Sequence, residues 1–156
     1  MPSRRELIRM TPAEVRAYLG SQRRIIAVTI GPDGMPHPMP MNYGLDDEGR
    51  IILSTFRKSQ KVKNVERDPR ATLLVESGDS YGELKAAILF ADVEIIDEPE
   101  QVRALMNLMK AGEVLAESMD EGRNEQVRAS VAKRVVLRFT PFRTISWDHG
   151  KLGAFY

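Results

Sequence analysis

The chain contains no cysteine, which removes thiol nucleophiles, disulfides and thiolate metal sites together. Histidine is nearly as scarce. His37 and His149 are the only two, too few for an ordinary zinc site. No apolar run approaches the ~18 residues of a membrane span, and the first ten residues carry charges without the apolar stretch of a secretory leader. An excess of either charge is also missing, since 23 basic against 22 acidic side chains leave a net charge of +1. No global field therefore draws the chain to nucleic acid or to a membrane surface. Neither G-x-G-x-x-G nor G-x-x-x-x-G-K-[ST] occurs, so the glycine-rich phosphate loops of doubly wound folds are absent. The expectation is a soluble, cytoplasmic protein. Its 156 residues suit one domain that buries roughly two-thirds of its unfolded surface.

What is present is mostly strand. Residues 24–30 are apolar and β-branched, Gly31-Pro-Asp-Gly34 reads as a turn, and 35–45 form an extended run in which Pro36, Pro38 and Pro40 forbid a helix. Prolines at every second position place their missing N–H groups along one edge, so that edge should face solvent, a ligand or a bulge. Residues 50–56, 71–76, 83–97, 134–140 and 143–147 read as further strands, the last two separated by Pro141. In the run 83–97, Ile88, Phe90, Val93 and Ile95 would face inward with a bulge near Ala91-Asp92. Helices are few. Thr11-Pro-Ala-Glu14 is a capping box with proline at the first helical position, and Gly20 is read as the close of that helix. Pro99 opens another helix carrying Leu105, Met106, Leu108 and Met109, interrupted at Gly112 and resumed over 126–133. The fold class is therefore mainly β, an antiparallel barrel of about six strands with peripheral helices.

The most distinctive stretch runs from Leu53 to Arg70, where a strand gives way to a hydroxyl- and base-rich turn and then a short helix. Arg57, Lys58, Lys61, Lys63, Arg67 and Arg70 oppose only Glu66 and Asp68. An acidic segment follows, with eight acids and a single base, Lys85, between Glu76 and Glu100. Ser59 sits where an N-cap would, with backbone N–H groups beyond it able to meet a phosphate, and Ser54, Thr55 and Lys61 supply further donors. Basic residues in a first helical turn oppose the macrodipole, so an anion nearby would relieve them. On charge alone, a solvated basic face is an equal reading.

The order of these parts carries a resemblance. The pattern Thr-x-x-x-Ser-x-Lys-x-x-Asn-x-x-x-Asp-Pro-Arg-x-Thr-Leu-Leu, followed by Ala-Asp-Val-Glu-Ile-Ile-Asp and by Ile-Ser-Trp near the C-terminus, resembles the pyridoxamine 5′-phosphate oxidase-like split β-barrel superfamily of flavin and deazaflavin binders. It covers about residues 12–153. The segment Ser-Thr-Phe-Arg-Lys-Ser-Gln-Lys-Val-Lys-Asn and the ending Ser-Trp-Asp-His-Gly-Lys-Leu-Gly are most similar to the branch of deazaflavin (coenzyme F420)-dependent oxidoreductases. The resemblance implies a split, FMN-binding-like β-barrel and a homodimer with cofactor sites at the interface. It places a phosphate cradle on Ser54, Thr55, Ser59, Gln60 and Lys61, with Arg57 and Lys58 beside it, reaching a polyanionic tail or standing in water. It runs the strand Met39, Pro40, Met41 and Asn42 along the ring of FMN or coenzyme F420, with Trp147 from the neighbouring subunit near that ring. The C-terminal Arg-x-His-Asp-Arg-type segment of the founding oxidase is replaced by Lys151-Leu-Gly-Ala-Phe, and its paired Arg-Lys by Gln60-Lys61, which argues against pyridoxamine phosphate as substrate.

Beside these readings stand plainer ones. Trp147 serves equally as buried apolar area, His149 as a surface residue or proton carrier, His37 as a structural or exposed group, and Met106 and Met109 as core or dimer packing. The function expected is hydride transfer from reduced deazaflavin or FMN to a small organic acceptor. The alternative is a non-catalytic carrier of flavin, deazaflavin or haem.

Overall fold

Two-residue alternation builds the sheet. In the computed structural model, which describes residues 1–109 and 124–155, strand β1 (Arg24–Ile30) buries Ile25, Ala27 and Thr29 and leaves Ile26, Val28 and Ile30 half-buried on its other face. A turn with Gly34 at φ 81°, where an L side chain would be strained, leads into β2 (Pro36–Asn42). Among the described residues, strand β2 pairs with β1 alone and forms one edge of the sheet. The edge left without donors by the prolines is thus the one that no strand covers, as the alternation of prolines requires.

The remaining strands are β3 (Gly44–Leu45), β4 (Ile51–Phe56), β5 (Arg70–Ser77), β6 (Lys85–Ile96) and β7 (Arg134–Asp148). Together they make a curled, wholly antiparallel sheet of seven strands in the order β2-β1-β5-β6-β7-β4-β3. This is the mainly β split barrel expected. Its interior core joins Ile25, Leu53, Leu73, Leu89 and Val135 and is closed by two helices. Helix α2 (Pro12–Ser21) contributes Val15, Tyr18 and Leu19, and α3 (Gln60–Arg67) contributes Val62 and Val65. A second core on the opposite face of β4 and β7 joins Ile52 and Val136 to Val102 and Met106 of α4 (Pro99–Leu108) and to Met109. Met106 and Met109 are therefore core residues. Short α1 (Arg4–Leu7) precedes α2, and α5 (Asn124–Ala132) precedes β7. Among the described residues no helix is long and apolar enough to cross a membrane.

The structure departs from the sequence expectations at several points. Helix α2 runs past Gly20 to Ser21 and is capped by Gln22, because Gly20 does not adopt the positive φ of a terminating glycine. The two last strands are one, β7, which continues through Pro141. Phe90 pairs with Arg143 and Ala91 with Pro141, so Phe142 is the extra residue of a bulge and stands 63% exposed. Since the insertion lies on β7, the alternation of β6 is unbroken. Ala87, Leu89, Ala91 and Val93 face the barrel core with Ile95 packed against it, while Ile88 and Phe90 lie half-buried on the other face. Gly112, read as a helix interruption, falls outside the described residues.

Register also aligns an apolar row on the outer face. Pro40, Ile26, Leu74, Ile88 and Ile145 are consecutive cross-strand partners over five strands, and the last four are only half-buried.

Candidate functional site

Strand β4 leaves the core at Phe56, which is exposed, and the chain turns through residues 57–59 into α3. Ser59 is the N-cap with extended dihedrals, as its position in the sequence predicts, yet its hydroxyl bonds no helix amide. Instead Ser59 Oγ accepts a bond from Thr55 Oγ1 at 3.3 Å, and Thr55 Oγ1 accepts one from Lys61 Nζ at 2.9 Å. Thr55 is buried at 4% exposure. Lys61 is half-buried and makes no ion pair among the described residues. Burial pushes its ammonium pKa down. A positive charge in the first helical turn, partly desolvated and answered only by a neutral hydroxyl, is unfavourable unless an anion joins it. First-turn amides without a side-chain cap suit the same partner. These residues fit the phosphate end of a flavin-type cofactor.

Helix α3 is pinned by a polar relay on its other side. Gln60 Nε2 donates to Asn64 Oδ1 at 2.9 Å, and the fully buried Asn64 donates through Nδ2 to Thr29 Oγ1 at 3.0 Å. Arg67 donates to the Ile30 carbonyl. The buried amide is satisfied, so the helix start is held to β1 with little freedom.

The predicted cradle residues do not all converge. Ser54 belongs to the opposite face of β4, with Ile52 and Val136, where Arg134 Nη1 reaches its hydroxyl at 3.5 Å. Strand alternation forces this, since Ser54 and Thr55 are neighbours. Arg57 is paired with Asp97 at 3.1 Å, both exposed. Such a pair contributes little and competes weakly with another anion. Lys58 is exposed and in no ion pair among the described residues. On β2, Met39 and Met41 turn inward and are half-buried, whereas Pro40 and Asn42 are exposed. Trp147 is half-buried opposite Ala86 and shares the outer face with Ile145 and Ile88.

Both histidines are more constrained than their sequence context suggested. His149 lies in a 3-10 turn (His149–Phe155), its Nδ1 2.8 Å from the Tyr81 carbonyl and its ring edge-on to Tyr81. His37 is half-buried beside Thr29, and its Nδ1 is buried without a partner. The sequence context suggested a structural or exposed group, and the structure places it half-buried. The available signal was parity, because His37 shares the inward face of β2 with Met39 and Met41.

The sequence profile of the family described as pyridoxamine 5′-phosphate oxidase matches residues 11–148. Among solved structures, the conserved hypothetical protein Rv2991 from Mycobacterium tuberculosis is 36% identical with a TM-score of 0.85, over 99% of this chain and 95% of that one. An F420 reductase gives a TM-score of 0.58 at 19% identity, covering 83% of this chain and 94% of its own. The haem storage protein HutZ from Vibrio cholerae gives 0.62 at 11% identity, covering 88% and 96%. At these lower identities the likeness is one of fold. Curated proteins yielded no match. The profile match and the barrel agree, and the chain belongs to the pyridoxamine 5′-phosphate oxidase-like family of split β-barrels.

Proposed function

We propose that this protein is a cytoplasmic oxidoreductase that binds reduced deazaflavin (coenzyme F420) or FMN and serves hydride transfer to a small organic acceptor. The observation that carries this is Lys61, a half-buried ammonium whose only polar partner among the described residues is the Thr55 hydroxyl. Bound there, the cofactor would supply a ring that donates hydride to an electron-poor acceptor. The chain's own residues position it. Lys61, the hydroxyls of Thr55 and Ser59 and the first amides of α3, including that of Gln60, hold the anionic end. Ser54 contributes through its backbone at the strand end, and Arg57 and Lys58 lie where a longer polyanionic tail would meet positive charge. Met39, Pro40, Met41 and Asn42 offer an unpaired strand edge to the ring.

We further propose a homodimer formed over the outer apolar row, with Trp147 on that same face available to the partner's ring. Pyridoxamine phosphate oxidation is not part of the proposal. Lys151, which begins the segment that replaces the Arg-x-His-Asp-Arg-type ending of the founding oxidase, is committed to Glu14 and the Arg9 carbonyl.

A second reading is a haem or flavin carrier, favoured by the unpartnered Nδ1 of His37. Absorbance titrations with FMN, reduced deazaflavin and haem, followed by acceptor reduction with a panel of quinones, enones and nitro compounds, separate the two. Saturable binding of one flavin-type coenzyme with turnover supports the enzyme. A Soret band without turnover supports the carrier and overturns it.

A further inference from the structure

Away from the cradle, a cavity of about 640 Å³ opens between the N-terminal helical segment and the paired strands β6 and β7. Its size lies within the range of small-molecule pockets, roughly 300–1,000 Å³. The floor is apolar, with Val15, Leu19 and Leu89 buried. The rim is not. Arg5, Arg9 and Arg16 line it, no carboxylate does, and none of the three makes an ion pair among the described residues. Glu6 feels the charge of Arg9, but its carboxylate accepts hydrogen bonds from Ser3, and Glu14 accepts from Thr11 and Lys151.

The walls are fixed. Met10 N donates to Ser146 Oγ at 3.3 Å, Asp148 N donates to the Ile8 carbonyl at 2.7 Å, and Lys151 Nζ reaches the Arg9 carbonyl at 2.8 Å. These bonds tie the N-terminal segment to β7 and keep the space open. It is also separate from the cradle. Gly49, before the start of β4, lines the cavity, whereas Thr55 lies near the other end, roughly 13 Å of strand beyond Ile51.

From this combination of apolar floor, a rim of three guanidinium groups without an ion pair among the described residues, and pinned walls, we infer that the cavity is a second binding site, for an organic anion with a flat or aliphatic apolar body and a single carboxylate, sulfonate or phosphate head. Guanidinium groups meet such heads in bidentate fashion, and the body replaces water over the floor. This inference does not rest on the cradle, because no cradle residue lines the cavity; of the outer apolar row, Ile145 alone lines it.

A matched pair of probes tests it. 2-Naphthoate and 2-naphthamide share a body and differ in the charge. Calorimetry and amide chemical-shift mapping on the full chain should show naphthoate binding at least about tenfold tighter than naphthamide, with Kd below about 1 mM. The shifted amides should centre on Val15, Leu19, Leu89 and Ser146. The double variant Arg9→Gln/Arg16→Gln should close the gap between the probes to about twofold while leaving naphthamide unaffected, and Lys61→Ala should leave the gap intact. Equal affinity for the two probes, shifts centred on Ser59 and Lys61, a gap that survives loss of the arginines, or no saturation near 1 mM would each overturn it.

Discussion

Lys61 is held by tertiary structure in a place where a lysine alone is disfavoured. Burial lowers its pKa below the ordinary 10.5, so the folded chain holds that proton less tightly than the unfolded chain does. With respect to this group, stability increases as pH climbs from the folded value towards 10.5. At neutral pH the charge is a local cost that a bound anion would reverse. Replacing it with Met should therefore leave the melting temperature of the cofactor-free protein unchanged or higher near pH 7, and should abolish the upward shift that coenzyme gives the unmodified chain. A drop of more than about 1 kcal/mol in the cofactor-free variant, measured by denaturant melts, would make Lys61 a structural residue. Ser59 gives a companion contrast. Its hydroxyl caps nothing, so Ser59→Ala should cost well under the ~1 kcal/mol typical of a bonded cap. Thr11→Ala, which removes the hydroxyl that accepts from the Glu14 amide at 3.2 Å and leaves the Thr11 amide bonded to Glu14, should cost about that amount.

Elements were legible where the cue was local and obscure where a neighbouring strand decided. The proline alternation of residues 36–40 is itself an edge signal, and β2 is an edge. The capping box at Thr11, the N-cap position of Ser59 and the basic turn were all visible as residue types at fixed spacing. The bulge was misplaced because its extra residue belongs to the opposite strand. One chain cannot show which of two partners carries the insertion until their register is known. That Ser54 and Thr55 point to opposite faces follows from alternation alone; which of them meets the cradle was hidden, since both faces of β4 are apolar and Ile51-Ile52-Leu53 has no alternation to read. The N- and C-terminal elements meet through Lys151 and Glu14 at 2.7 Å, a contact spanning nearly the whole sequence. This bond and that from the Thr11 amide hold the Glu14 carboxyl well below the ordinary 4.5, at about 2. A depressed carboxylate contributes its stability above pH 4.5 and loses it as pH falls towards 2. Glu14→Gln should therefore flatten the acid side of the stability curve over that window in denaturant melts at stepped pH. An unaltered slope would mean that the pair does not persist in solution.

For the whole molecule, the outer row from Pro40 through Ile26, Leu74 and Ile88 to Ile145 is a half-covered apolar surface crossing five strands. A contiguous patch of that kind marks an interaction face, and twofold pairing is the commonest way to cover one. Ile88→Asp should convert a dimer to a monomer in analytical ultracentrifugation and weaken coenzyme binding with it, because Trp147 shares that face. A native chain that sediments as a monomer would remove the shared site from the account.

The most direct measurement is a fluorescence titration of FMN and reduced deazaflavin into the chain and into Lys61→Ala/Ser59→Ala, with folding verified by circular dichroism. The account predicts at least about tenfold weaker binding of the preferred coenzyme in the double variant, the loss of one charge-assisted bond and one neutral bond. Undiminished affinity in a folded variant would contradict it and move the anion site elsewhere.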